Sequence, residues 1–248
     1  MKLLISGEGI SDMGACNNAQ GQCSGDDFTQ GPMAVWLVRL CESLIGYDLN
    51  TVPEAIIYIS ETKLAQAIKA NGGRMQALRG KKHGAETGFY FNNAKQLGLI
   101  AKSDTEQPVI AVLFRDSDGT NSAKAGEWKT KWDSIINGFS AAEFDYGVPM
   151  LPKPKSEAWL LCAAREGNHS CADLEDISGN DNSPNSAKLQ LKEKLGENCC
   201  SGEKLAEFCE TNPNDWKKLR TMPSFEAFYQ RLKRVVILIR PNGGRYFI

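Results

Sequence analysis

Asp116 and Asp118 are the residues of this chain whose types and spacing point most directly to chemistry. They close the run Val109-Ile110-Ala111-Val112-Leu113-Phe114-Arg115-Asp116-Ser117-Asp118-Gly119, where an apolar, β-branched stretch ends abruptly in two carboxylates. Such a stretch predicts a buried strand. Positions i and i+2 of an extended chain point the same way, so both carboxylates can converge on one point. Like charges at the mouth of a buried strand are costly unless a cation lies between them. Oxygen-only ligands suit Mg²⁺, with Mn²⁺ as a substitute. A second acidic site follows the first apolar run, Lys2-Leu3-Leu4-Ile5-Ser6, which passes straight into Gly7-Glu8-Gly9-Ile10-Ser11-Asp12. The glycines beside Glu8 let the backbone turn sharply off the strand end.

A third candidate segment is Pro152-Lys153-Pro154-Lys155-Ser156-Glu157. Glu157 falls in the first turn of a predicted helix, where it either complements the helix dipole or acts as a further metal ligand or general acid/base. Lys153 and Lys155 can hold a scissile phosphate or offset charge in a transition state, or can simply be solvated. Arg74, Arg79, Lys81, Lys82 and His83 form a basic, glycine-containing loop suited to gripping phosphate. It is not a Walker A loop, because no GxxxxGK[ST] occurs. His83 is a weaker candidate for a general base.

The elements that must position these groups alternate between strand and helix patterns. Strands are predicted at residues 2–6, 54–60, 108–115 and 144–151. Helices are predicted at 33–45, 61–70, 89–101, from 121 or 122 to 137, and at 155–165, 186–195, 202–211 and 224–235. Residues 12–30 read as a long polar, glycine-rich loop, and residues 166–184 as a polar surface insertion, partly disordered. Residues 234–240 fit a late helix or an edge strand. This alternation implies an α/β fold, a mostly parallel sheet flanked by helices, with ligand sites in the crevice outside the carboxyl ends of the strands. The core is placed at residues 1–165 and a helical C-terminal lobe, able to pack on it as one domain, at 166–248. If the first and third strands are neighbours, Glu8, Asp12, Asp116 and Asp118 face one crevice.

Other readings of the aspartate pair stay open. An EF-hand loop beginning at Asp116 would place Glu127 at its twelfth position, but it would need glycine where Asn121 stands and a helix where the β-branched run lies. The pair could instead cap the next helix and be neutralised by Arg115. An Asp-x-Asp of a nucleotide-sugar transferase leaves Glu8 unexplained.

A strand ending in Gly7-Glu8-Gly9 and another ending in Asp116-Ser117-Asp118-Gly119 together resemble the Toprim domain. Residues 152–161 and Met222-Pro223-Ser224-Phe225 resemble segments of small standalone Toprim-like proteins, related to the overcoming-lysogenization-defect nucleases, that are encoded beside ATPases in phage-defence systems. The resemblance covers the core well and the tail loosely. It implies a Toprim-like (Rossmann-like) fold and Mg²⁺-dependent cleavage of phosphodiesters. Glu8, Asp116 and Asp118 would be metal-binding and catalytic acids, and Asp12 a further metal ligand. It also implies an ATPase partner on another chain.

The chain has 248 residues, 42% of them hydrophobic and 24% charged, which suits a soluble globular protein with a sizeable core. No membrane span or signal peptide is evident, so the cytoplasm is the expected location. Eight cysteines with no CxxC pair and only two histidines argue against structural zinc. They are read as reduced thiols. The net charge of −1 conceals a basic segment: residues 211–248 carry eight basic and two acidic side chains. Lys217, Lys218, Arg231 and Arg234, with the Arg74–Lys82 loop, are candidates for holding a nucleic-acid backbone, although a solvated helix face explains them equally well. The five tryptophans fall at helical spacings that suit packing better than base stacking. The expectation is a Mg²⁺-dependent nuclease acting as an antiviral-defence effector. A non-catalytic Toprim-fold subunit that binds an ATPase and nucleic acid is the main alternative, and an enzyme of small phosphoesters a third. A homo-oligomer is compatible with either of the first two.

Overall fold

The structure is a computed structural model that describes residues 1–52, 54–70, 88–104, 106–117, 125–167, 169–196, 200–212 and 216–239. Its centre is a five-stranded sheet. The strands are β1 (Lys2–Gly7), β3 (Gln22–Ser24), β5 (Ile56–Ser60), β6 (Val109–Phe114) and β7 (Gly147–Met150), in the order β3-β5-β1-β6-β7. β5, β1, β6 and β7 are mutually parallel, and β3 pairs antiparallel at one edge. From β1 the chain moves outward to β5 and then returns to place β6 on the other side of β1. The reversal opens a crevice between β1 and β6 at their carboxyl ends, where open α/β sheets bind ligands. In the register Gly7 lies opposite Phe114, so Glu8 leaves the sheet beside Arg115 and Asp116.

The central strands are apolar on both faces because helices cover both. Leu3, Ile5, Ile110, Val112 and Phe114 pack against α2 (Pro32–Ile45), α6 (Ser156–Ala164) and α10 (Pro223–Ile239). Leu4, Ala111 and Leu113, one residue out of phase, pack against α3 (Glu61–Ala70), α4 (Gly88–Ser103) and α5 (Ala125–Ala141). This is the period-two alternation of a strand, with both faces buried. α4 and α5 approach closely at Gly138, where a β-carbon would lie 2.3 Å from the Phe91 carbonyl oxygen. α7 (Ala187–Leu195), α8 (Gly202–Thr211) and α9 (Trp216–Leu219) contribute Leu191, Leu205, Cys209 and Leu219 to the cluster that holds Leu3 and Ile5. The C-terminal helices therefore share a core with the sheet. Trp36, Trp159, Trp216, Phe225 and Phe228 form its aromatic centre, with Trp159 and Phe225 edge-to-face at 4.9 Å.

Several expectations are corrected. Residues 12–30 are not a plain loop. They form the short helix α1 (Ile10–Met13) and the strands β2 (Gly14–Cys16), β3 and β4 (Phe28–Gln30), with β2 and β4 paired. These strands are three residues long, too short for alternation to reveal. The cysteines are not all reduced: Cys16 pairs with Cys23 and Cys162 with Cys171, at α-carbon separations of 5.6 and 5.7 Å. Both pairs close short segments folded back on themselves, which a search for CxxC spacing does not detect. Cys41 and Cys209 are buried free thiols. The insertion at 166–184 carries a 3₁₀ turn, Ala172–Asp176, which buries Leu174 and Glu175. Residues up to Ile239 continue α10, which settles the late segment as helix. Among the described residues no helix is long and apolar enough to cross a membrane.

Candidate metal centre

Four carboxylates meet at the carboxyl edge of the sheet, each delivered by a different break in regular structure. Glu8 follows β1. Gly9, at φ +82°, then turns the chain into α1 and so carries Asp12 back toward the crevice. A side chain at Gly9 would collide with the Asp12 carboxylate, since its β-carbon would lie 2.5 Å from Oδ2. Asp116 follows β6. Glu157 sits in the first turn of α6, which starts after the segment following β7. That segment is stitched to the β6 exit: the Ser117 amide donates to the carbonyls of Pro152 and Pro154, and its hydroxyl to Pro154.

The hydrogen bonds make these acids one assembly. One Glu8 carboxylate oxygen accepts the Asp116 amide at 2.9 Å, and the other accepts the Arg115 guanidinium at 2.6 Å. Arg115 also donates to Glu61 at 2.6 Å, and its guanidinium lies 5.5 Å from the ring centres of both Phe89 and Tyr90. The Ser156 amide donates to Asp116 Oδ1 at 3.0 Å, while the Ser156 hydroxyl bonds to Asp12 Oδ1. The same hydroxyl lies 3.4 Å from Glu157 Oε2. Asp12 Oδ2 accepts the Ser11 hydroxyl at 3.0 Å.

Electrostatics mark the cluster as short of positive charge. Burial pushes the Asp116 carboxyl well above the usual range, and the negative charges of Asp12, Glu157 and Glu8 push it further, against the opposing Ser156 amide. Asp12 is raised by burial, opposed by the hydroxyls of Ser156 and Ser11 and by Lys155 and Lys188. Glu157 is raised by burial and by Asp12. Glu8 is raised by burial, although Arg115 and the Asp116 amide favour its ionised form. Desolvated carboxylates crowded together either hold protons or share a cation. An all-oxygen donor set is the kind that Mg²⁺ or Mn²⁺ accepts. The chemistry of the donors therefore fits a divalent ion. Among the described residues, however, no three His, Cys, Asp or Glu side chains already enclose a metal position.

The residues singled out from sequence are distributed as follows. Glu8, Asp12, Asp116 and Glu157 are brought together. Lys155 stands at the rim, where its ammonium is 2.9 Å from Asp181 Oδ1, and Lys153 is 3.5 Å from Asp176 Oδ1. Asp118, Arg74, Arg79, Lys81, Lys82 and His83 lie outside the described residues. Lys217 and Arg234 are exposed. Lys218 is buried with its ammonium on the Arg165 carbonyl, and Arg231 spans the carbonyls of Gly147 and Asp145 at 2.8 Å each. Both cations therefore have roles in packing the C-terminal helices onto the core.

Three participants were not legible as site residues. Ser156 ties two acids together from within the 152–157 segment, Glu61 shares Arg115 with Glu8, and Lys188 faces Asp12 from α7. Only Ser156 had a local signal, its place between Lys155 and Glu157. At the carboxyl end of β5 a groove of about 300 Å³ is lined in part by Ile10, Cys16, Gln20, Tyr58, Ser60 and Lys63. No protein-family model, curated protein or solved structure matches the chain, so the functional reading rests on these residues.

Proposed function

We propose that this chain is a Toprim-like, Mg²⁺-dependent nuclease that cleaves phosphodiester bonds of nucleic acid, with Mn²⁺ able to substitute. The observation that carries the reading is the convergence of Glu8, Asp12, Asp116 and Glu157 at the crevice between β1 and β6, with Asp116 pushed well above the carboxylate range. Asp116, Asp12 and Glu8, with Asp118 from the sequence pattern, would hold the ion or ions. A bound divalent ion supplies Lewis-acid polarisation of a phosphoryl oxygen and lowers the pKa of water.

The protein's own groups do the rest. Arg115 orients Glu8 and favours its ionised state. Ser156 holds Asp12 and Asp116 at a fixed spacing through its hydroxyl and amide. Glu157, whose carboxyl is raised above its ordinary value by burial, is the group placed to give a proton to a departing oxygen. Lys153 and Lys155 offset phosphate charge at the rim. Lys217 and Arg234, with Arg74, Arg79, Lys81 and Lys82 of the basic loop, offer sequence-independent backbone contacts. The resemblance to Toprim proteins encoded beside ATPases extends the proposal to a cytoplasmic antiviral-defence effector with an ATPase partner chain.

The test is a plasmid-nicking assay with Mg²⁺ and Mn²⁺. Asp116→Ala should lower cleavage at least about a hundredfold, the scale set by loss of a principal electrostatic group. Cleavage equal to that of the wild type removes the assignment. One observation favours the non-catalytic alternative: both Glu8 oxygens already have partners within the protein, as expected of a structural ion pair. In that case the wild type binds nucleic acid or an ATPase but nicks nothing with either metal.

A further inference from the structure

Each of three rim lysines pairs with an acid of residues 176–181. Lys155, at the N-cap of α6, and Lys188, in the first turn of α7, converge on one carboxylate, Asp181, at 2.9 and 3.2 Å. Lys153 is paired with Asp176, which belongs to the same stretch of chain. Helix stability does not explain Lys188, because a cation in the first turn opposes the helix dipole. Both Lys155 and Lys188 also favour the ionised Asp12 carboxylate, and Asp181 acts on Glu157, so the three groups lie within electrostatic reach of the acid cluster. The Asp181 turn is built to stay in place: the Asn182 amide donates to the Asn180 side chain, the Ser183 amide to the Asn180 carbonyl, and residues 178 and 186 are bridged. The Asp181 side chain is nevertheless 43% exposed and that of Lys188 50%, so solvent reaches this pair and screens it. An anion carrying more charge can therefore displace it.

We propose that Lys155 and Lys188 form a phosphate-binding subsite at the rim of the acid cluster, and that the Asp181 carboxylate occupies it as an internal anion until a phosphate of the ligand displaces it. The role of that phosphate, as a neighbour of the scissile group, rests on the nuclease reading; the binding itself does not. The subsite accounts for Lys188, for which the cleavage chemistry gave no role. It also makes Asp181 a built-in competitor that raises the ligand concentration needed for occupancy.

The experiment measures binding of a fluorescein-labelled single-stranded DNA oligonucleotide by anisotropy in EDTA, with AMP as a competing mononucleotide. Asp181→Asn should tighten binding about fivefold, the scale of two exposed ion pairs. Lys188→Ala should weaken it by a similar factor and lower the salt slope by about one. In the Lys188→Ala background Asp181→Asn should tighten binding by a smaller factor than in the wild type, because only Lys155 remains to be uncovered. Asp173→Asn controls for net charge, since Asp173 lies on the same segment but pairs with Arg165 at 2.9 Å. A gain in Asp181→Asn no larger than in Asp173→Asn, or one that Lys188→Ala leaves undiminished, overturns the proposal. Tightening of AMP by the same factor as the oligonucleotide assigns the subsite to free nucleotides, and tightening of the oligonucleotide alone assigns it to polymer. The two readings fail separately. A wild type that cleaves nothing while Asp181→Asn still tightens binding removes the nuclease and keeps the subsite. Asp116-dependent cleavage with no Asp181 effect does the reverse.

Discussion

At the scale of single residues, Asp116 concentrates the tension of the site. Its carboxyl is desolvated, faces three other acids and has the Ser156 amide as its polar support. Its folded pKa is raised, so the folded protein retains this proton to higher pH than the unfolded chain. Stability is therefore greatest below the ordinary carboxylate pKa of about 4 and falls as pH rises through it toward the raised folded value. Glu8, Asp12 and Glu157 are shifted the same way and add to the slope. Asp116→Asn should flatten this slope in EDTA, and its Tm should exceed that of the wild type increasingly toward neutral pH, by about 2–4 °C for each kcal/mol of repulsion relieved. Thermal melts from acid to neutral pH check it. Parallel pH profiles for the two proteins would show that Asp116 is not under strain. Sequence placed Asp116 at a strand end because the strand before it is uniformly apolar. It did not reveal that Arg115 reaches past Asp116 to Glu8, because that contact needs a partner more than a hundred residues away.

At the scale of elements, legibility followed length. The long helices and the two central strands carry enough periodic residues to be read directly, and their observed ends fall within a few residues of expectation. The strands of residues 14–30 do not, since three residues cannot display alternation. Their positions follow from pairing: β3 adds to the exposed edge of β5, and β2 pairs with β4. Glycines mark contacts that periodicity cannot. Gly138 lies inside a predicted helix, where it would ordinarily be a mild liability. Its value is the close approach of α5 to α4, whose packed faces support β6 and hence the exit to Asp116. Gly138→Ala should improve local helix propensity yet destabilise the fold by about 1–3 kcal/mol, because the Phe91 carbonyl is backbone and cannot move aside cheaply. Urea denaturation measures this, and a stability gain would mean that the two helices are more loosely packed than described.

At the scale of the whole molecule, strand order turns separate motifs into one site. Glu8, Asp116 and Glu157 lie far apart in sequence, but β1 and β6 are neighbours in the sheet and β7 follows β6, so all three strand exits open on one edge. The α/β class and the parallel sheet were legible from alternation alone, and the adjacency of the first and third predicted strands was the condition set for the acids to meet. The contribution of the C-terminal helices was less legible. Their basic residues suggested a polyanion grip, but Lys218 and Arg231 are spent on carbonyls of the core. Beyond Arg115, which pairs with Glu8, the positive charge acting on the acids comes from Lys155 and Lys188, whose pairing with Asp181 conceals it in any count of net charge.

If the acids at this sheet edge share a divalent cation, calorimetric titration of Mn²⁺ into metal-free protein will detect it. Saturable binding is expected of the wild type, weakened at least about tenfold by either Asp116→Asn or Asp12→Asn in proteins that remain folded. Absence of binding by the wild type, or equal affinity in all three proteins, would contradict it.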